Sequence, residues 1–481
     1  MPTFRTQPGA WLRRAVAAVV VLVLWGLLTH GTHAGSGDEP HYQMIAHSLA
    51  FDGDLDVANN YADRTNLIAG GTLIPEAHAI AGKDGRLRPV HDIGLPLIFA
   101  PYFAAAYVAA EQAGSSLPPA LLERAKLTEG LILRHLLSLA MIGITAWIAV
   151  QLFDIGLGLG ASRSLAAGCA LLLTLSPPLL SHSFLFFTEI LSAGIALWLF
   201  RWVTTPNFGR RSPVLIGALT GLLLLIHARN AGLVAGLTAL AVVMMWRPAR
   251  PSRALPLFLL GLAAALVVRT AITWHLWGTL ITTPHAHLGA AGAGAVSSAA
   301  ETFRRLFGWL FDQEHGLFFY APIYLLVPAG CLALWRRDRT LSVQLAVVAG
   351  LYIVVMAMPF INPHGWRGGW SPAARFLVPI VPLLAYPIFA WAISVRRSLL
   401  FAVLIAVQVA LNALLWQYPK LLWNLGDGTS ELLMHLGGGT DRLVWLFPSD
   451  ARVLAPMLVA ALIVIALAWM PVRRLRDADH G

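Results

Sequence analysis

The sequence predicts an all-α polytopic membrane protein, and three observations carry that prediction. Of the 481 residues, 57% are hydrophobic and only 12% are charged, whereas a soluble domain carries about 25% charged residues. Apolar runs of about twenty residues, the length that crosses a bilayer, recur along the whole chain. The basic residues come as short clusters between those runs: Arg13-Arg14, Arg210-Arg211, Arg336-Arg337, Arg396-Arg397 and Arg473-Arg474. Such clusters orient membrane spans. The net charge of +10 therefore gives no reason to expect nucleic acid, because no continuous basic face is built. High hydrophobicity excludes disorder. Two cysteines, Cys169 and Cys331, exclude a disulfide framework and a cysteine metal cluster; both lie in apolar runs and read as small core residues.

Taken in order, spans are expected over 15–29, 130–152, 164–181, 190–204, 213–227, 231–246, 255–276, 316–335, 341–361, 376–394, 399–416 and 452–471, about twelve in all. A further apolar run, 93–110, is decided by charge. With Arg5, Arg13 and Arg14 placing the N-terminus inside, every basic cluster after residue 200 falls inside if 93–110 does not fully cross, and outside if it does. The positive-inside rule selects the first arrangement. Residues 93–110 are then a re-entrant or interfacial helix, with Pro96 and Pro101 opposing a clean span, and both termini lie inside. The start of the chain also resembles a secretory signal, with Thr32-His33-Ala34 before Gly35. An uncleaved first span is the preferred reading.

The long loops, 30–129, 277–315, 362–375 and 417–451, fall on the outer side. So does every one of the sixteen histidines except His135 and His480. Histidine avoids lipid and outer loops are long, which explains part of this bias; a polar reaction site at the outer face explains the rest.

Four groups of residues could carry chemistry. Gly37-Asp38-Glu39-Pro40-His41-Tyr42 follows the first span, with two adjacent carboxylates where the chain leaves the membrane. Pro40 opens an amphipathic helix there. Asp38 is either its cap or a general base whose partial burial tunes it. Asp52-Gly53-Asp54-Leu55-Asp56 offers alternating acids, but the calcium-loop pattern needs glycine after the third acid, so a polar turn is the better reading. Glu189, in Phe187-Thr188-Glu189, opens an apolar helix at the outer end and is either interfacial or faces a cavity. Arg229, Arg367 and Arg375 stand on the outer side against the charge bias, so an outer anion should offset them; a lipid-linked phosphate would do so through forked hydrogen bonds. The setting His364-Gly365-Trp366-Arg367-Gly368-Gly369-Trp370 suggests a pocket wall for a sugar or isoprenoid. His285 and His287 lack a third ligand at a defined spacing and read as a surface loop.

Taken together, these motifs resemble those of the GT-C glycosyltransferases, a superfamily that includes the protein O-mannosyltransferases and the lipid A aminoarabinose transferases. The resemblance covers roughly residues 15–380. Asp38-Glu39 is similar to the acidic motif of the family's first loop, and Ser176-Pro177-Pro178 through Thr188-Glu189 to its second-loop segment. His91-Asp92-Ile93-Gly94-Leu95-Pro96-Leu97 resembles the family's His-Pro-Pro-Leu stretch but keeps only the later proline. Gly369-Trp370-Ser371 through Arg375-Phe376-Leu377-Val378-Pro379 resembles a late segment of bacterial members.

The resemblance implies a GT-C-like catalytic module over 1–381 and C-terminal helices over 382–481. It implies transfer, with inversion, of a hexosyl or pentosyl unit from a polyprenyl-phosphate donor to a hydroxyl of a glycan, lipid or protein acceptor, at the outer face of a bacterial-type inner or plasma membrane. Asp38 would be the base, with Glu39 or Glu189 positioning the acceptor or a metal. Arg229, Arg367 and Arg375 would hold the phosphate, and His41, Tyr42, His91, His364 and Trp366 would line the substrate pocket. A departing phosphate needs cations, from arginine or a divalent metal ion; no other cofactor is expected. The competing class is a transporter or flippase of lipid-linked glycans. Transporters commonly show repeated halves and polar residues near the midplane, and neither is visible here.

Overall fold

A computed structural model describes residues 9–30, 37–64, 68, 73–205, 212–246, 253–280, 299–358, 367–395, 399–426, 428–437 and 462–469. The helices used below are α1 (Ala10–His30), α2 (Glu39–His47), α3 (Gly94–Ser116), α4 (Glu129–Gly158), α5 (Arg163–Thr174), α6 (Thr188–Thr204) and α7 (Pro213–Ile226). They continue with α8 (Ala231–Met245), α9 (Ala254–Trp277), α10 (Val327–Arg337), α11 (Arg339–Ala357), α12 (Ala385–Ser394) and α13 (Leu399–Gln417). Among the described residues the one sheet is a hairpin, β1 (Ala79–Ala81) antiparallel to β2 (Leu87–Pro89).

Among the described residues seven helices are long and apolar enough to cross a membrane, fewer than the twelve expected. The shortfall has local causes. Proline breaks the expected span 316–335 into Leu317–Tyr320, a 3-10 turn at Pro322–Leu326, and α10. The expected span 376–394 opens as two 3-10 turns, Arg375–Leu377 and Val381–Leu384, before α12. The expected 164–181 helix stops at Thr174, ahead of Ser176-Pro177-Pro178. Of 452–471 only 462–469 lies within the described residues.

Contacts along the helices fix their directions. Arg13 of α1 donates to Asp154 of α4 at 2.7 Å, while Trp25 packs edge-on against His135. Helices α1 and α4 are therefore antiparallel. Arg201, at the end of α6, donates to the same Asp154, and Arg337 donates to the Leu159 carbonyl. These residues mark one end of the bundle. Three helices that start at this end carry their own caps: Ser162, Ser212 and Asp338 accept the backbone N–H of Leu165, Leu215 and Leu341, each cap contributing about 1 kcal/mol.

Helix α3 is the helix expected at 93–110, extended to Ser116. Pro96 and Pro101 do not break it, and Gly94–Ser116 is one helix. Pro96 lies in the first turn, where its missing N–H costs nothing. Yet α3 does not traverse the bundle. Gly94 lies against the backbone of Leu225 and Ile226, at the end of α7, and Gly114 lies against Glu129, at the start of α4. Both ends of α3 are thus at the end opposite Asp154.

Glycine lets the helices pack closely, as is usual where lipid supplies no hydrophobic drive between them. Gly217 and Gly221 of α7 lie against Phe258, Leu262 and Ala265 of α9, in parallel; Gly232 and Gly236 of α8 lie against Tyr352 and Val348 of α11, antiparallel.

A side chain at Gly217 would collide with the Phe258 carbonyl. Gly217→Val should lower the unfolding midpoint in detergent, at a cost of about 1–3 kcal/mol. Gly350→Ala, where nothing lies within 4 Å of the added carbon, should leave the midpoint unchanged. Equal midpoints for the two variants would count against this packing.

Candidate functional site

The site forms at the bundle end that holds both ends of α3, from segments far apart in sequence. Asp38 flanks the start of α2 but makes no capping hydrogen bond. Its Oδ2 instead accepts from Arg375 Nη2 at 2.6 Å. Arg375 Nε donates to Glu189 Oε1, also at 2.6 Å, and Nη1 donates to the Gly368 carbonyl at 3.3 Å. The guanidinium lies over the Phe187 ring, 4.6 Å from its centroid. One cation therefore joins the first loop, the start of α6 and the turn at Arg375–Leu377. Burial alone would lower the Arg375 pKa, but Glu189 and then Asp38 outweigh it and keep the group charged.

Glu189 is buried and also accepts from the Thr188 hydroxyl at 3.2 Å. Glu39 is fully buried, and its Oε1 accepts the Phe186 N–H at 3.0 Å. This pins the turn that carries Phe187. Asp38 is the most open of these three groups, with 23% of its side chain exposed against 5% for Arg375 and for Glu189. A solvent-borne molecule reaches Asp38 first.

Arg229 sits in the turn Ala228–Asn230, between α7 and α8. It lines a narrow cavity with Glu189, Ser192, Asn230, Tyr352 and Arg375. Its guanidinium covers the Phe376 ring at 4.5 Å. Its Nε and Nη1 are buried and donate to no protein atom within the described residues. Arg367 is exposed and does not line that cavity. His364 and Trp366 lie outside the described residues, as do His285 and His287.

His41, Tyr42 and His91 are buried behind Asp38. The His41 ring stacks on His78 with centroids 3.5 Å apart, and His78 Nδ1 and His91 Nε2 share a hydrogen bond at 2.8 Å. Burial, followed by His78, pushes His41 down to about 3, and burial also lowers His78. Both imidazoles are neutral at physiological pH. The Tyr42 ring packs between His91 and Phe187, and burial holds its hydroxyl protonated. Asp92 Oδ2 accepts the Ala228 N–H at 2.8 Å and lies 3.4 Å from His227. Burial raises its carboxyl to about 6 against the pull of Arg269.

The acidic run at 52–56 is a turn, as its glycine position implied. Asp52 accepts from Asn60 at 2.7 Å, and Asp54 accepts from Ser48 and from the Asp56 N–H; Gly53 is left-handed at φ +69.

Sequence reasoning missed two groups. His78 reaches the site because the hairpin sets it beside Val90, whose N–H donates to the His78 carbonyl. The turn Gly82-Lys83-Asp84-Gly85 between two short apolar stretches was the available signal. The block Asp312-Gln313-Glu314-His315 is wholly buried. Asp312 accepts two backbone N–H groups, while Glu314 accepts those of Gly426 and Gly428, tying two loops together. A four-residue polar run beside an apolar helix was its only signature.

No family model matches the chain, and no curated protein matches it. Among solved structures it is similar to the oligosaccharyltransferase of Archaeoglobus fulgidus. The apo form matches at TM-score 0.40 and 14% identity, over 88% of this chain and 56% of that one. The complex with an inhibitory peptide and a dolichol-phosphate matches at TM-score 0.40 and 12% identity, over 97% and 56%. The form tethered to an acceptor peptide matches at TM-score 0.41 and 12% identity, over 85% and 54%. The chain spans little more than half the length of these structures.

Arg375→Ala would leave Asp38 and Glu189 without their shared cation. Removing one partner of a buried pair costs about 3–5 kcal/mol, so the unfolding midpoint of the purified variant should fall clearly. Arg375→Lys should fall by less but not recover, because an ammonium cannot fork between two carboxylates. An unchanged midpoint for Arg375→Ala would mean that the trio is not formed in solution.

Proposed function

We propose that the protein is a membrane glycosyltransferase that moves a sugar from a polyprenyl-phosphate donor to an acceptor hydroxyl. The observation that carries the reading is the meeting of Asp38, Glu189 and Arg375 beside Arg229, whose buried donors have no protein acceptor among the described residues. Two carboxylates and two guanidiniums balance in charge. An acceptor hydroxyl must lose a proton as the anomeric carbon is attacked, and a positioned carboxylate takes it. The leaving phosphate needs preorganised cationic donors.

The roles follow from exposure and pairing. Asp38, the open carboxylate, is the base. Glu189 holds Arg375, and Arg375 aims Asp38. Arg229 is the phosphate contact, and Arg367 contacts the donor or acceptor from the exposed loop. His41, Tyr42 and His91 form the floor beneath Asp38. Residues 1–381 carry these groups, and 382–481 complete the bundle. Glycan, lipid or protein serves as acceptor.

A prenyl chain has a matching surface. An apolar cavity of about 890 Å³ lies between α1, α5 and α13, lined by Leu22, Leu165, Leu172, Phe401, Val409 and Trp416. The transporter reading is weaker, since the polar groups gather at one end of the bundle instead of at its middle.

The site faces the outer side of a bacterial-type inner or plasma membrane, because Arg13, Arg201 and Arg337 mark the opposite end. A cysteine placed at Ser212, the cap of α7 at that end, should resist an impermeant thiol reagent in intact cells. Ready labelling would invert the orientation.

The activity test incubates the purified protein with polyprenyl-phosphate sugars and candidate acceptors, and measures released polyprenyl phosphate. Asp38→Asn keeps the shape of the side chain and can still accept from Arg375. Turnover should fall by roughly 10²–10⁴, the scale of general-base catalysis, with donor binding kept. Near-normal turnover by a stable Asp38→Asn protein would remove Asp38 as the base. Absence of release from every donor, by protein with a normal unfolding midpoint, would count against the transferase reading itself.

A further inference from the structure

We propose that Asp38, His78 and His91 form a binding site for one divalent transition-metal ion of the zinc class. The three residues each offer a ligand atom, and these atoms lie within 4.8 Å of one another. A carboxylate and two imidazoles are a recurrent donor set for zinc and its neighbours in the first row. Imidazole nitrogen also selects such ions over magnesium and calcium, which prefer oxygen.

The arrangement of the donors supports the assignment. His78 Nδ1 and His91 Nε2 face each other at 2.8 Å. A hydrogen bond between two ring nitrogens requires one to be bare, so at least one lone pair already points into the cluster. Each ring reaches the metal-binding tautomer when its proton sits on the outer nitrogen. His41 belongs to the histidine stack but not to the ligand set. Its ring lies nearly parallel to His78, at 11°, and its Nδ1 is bonded to the Tyr61 hydroxyl, so it does not converge on the same point.

The scaffold is rigid, as a metal site requires. Strands β1 and β2 pair with Ala79 opposite Pro89, which places His78 and His91 just beyond the paired residues at the open end of the hairpin. The other end is anchored on α9. Lys83 N–H donates to the Leu276 carbonyl at 3.0 Å, and Lys83 Nζ donates to the Trp274 carbonyl at 2.8 Å. Arg88 and Asp84 form an ion pair between β2 and the turn. Asp38 enters from a different segment, at the start of α2. Binding would therefore clip the hairpin to the residue proposed as the base.

Asp38 is common to both proposals and the two histidines are not, which makes the histidines the discriminating positions. The readout is binding, so the result stands whether or not glycosyl transfer is found. Full-length protein without a histidine tag is stripped with a chelator and titrated with Co²⁺ and with Zn²⁺. Bound metal is counted by elemental analysis, and Co²⁺ is followed by its visible ligand-field absorption. The expected result is one equivalent, a rise in the unfolding midpoint on metal addition, and a loss of affinity of roughly tenfold or more in His78→Ala and in His91→Ala. His435→Ala, outside the cluster, should bind as wild type. His78→Asn and His91→Gln keep a hydrogen-bonding side chain in place and serve where an alanine variant fails to purify. Failure of the folded wild type to take up one equivalent would overturn the site, as would binding that survives both histidine substitutions; the cluster would then be a hydrogen-bonded histidine stack.

Discussion

The structure at this end of the bundle depends on the sharing of one guanidinium between two carboxylates. Arg375 is buried, and its Nε, Nη1 and Nη2 meet Glu189, the Gly368 carbonyl and Asp38. A buried charge is tolerable only with such pairing. Neither carboxylate could be buried near the other without it. The ion pair therefore sets the position of the first loop against α6 and against the 367–377 turn. It also explains why Asp38 makes no capping bond at α2: the stronger charge-assisted partner takes its oxygen.

The architecture was largely legible in the sequence, for a plain physical reason. Lipid requires apolar length, and charge clusters record direction. Those two signals placed the long apolar helices, although seven helices among the described residues, and not twelve, are long and apolar enough to cross; α3 is one of the seven, and both of its ends meet one end of the bundle. What failed was local. Pro96 and Pro101 were expected to oppose a clean span at 93–110, yet the helix runs unbroken, with Pro96 in its first turn and Pro101 in its interior. Proline did break the expected helices at 316–335 and 376–394, where it fell within the expected span. A proline in a helix's first turn is tolerated, but Pro101 inside α3 is tolerated too, so the presence of proline in an apolar run does not by itself say where a helix ends.

The site was legible in part. Asp38, Glu189, Arg229 and Arg375 stood out because charged residues beside apolar runs are rare. Their convergence is long-range: Arg375 and Asp38 are 337 residues apart, and no periodicity encodes such a pairing. His78 stayed hidden because its partner is across a hairpin, not along a helix. Glu314 stayed hidden because its ligands are backbone N–H groups of Gly426 and Gly428, which leave no trace in side-chain patterns.

The two inner arginines differ in what they can still do. Arg375 has spent its fork on protein acceptors, so an arriving anion must displace Asp38 or Glu189 to reach it. Arg229 has not. Its Nε and Nη1 are buried and unsatisfied by any protein acceptor among the described residues, and an unmet buried donor costs about 1–3 kcal/mol, more when charged. A ligand with anionic oxygens would recover that cost on binding. Any anion that met these donors would draw on the desolvation of Arg229 already present in the folded chain. Its stacking on Phe376 fixes the plane of the fork in advance, so little side-chain entropy remains to be lost when the anion arrives.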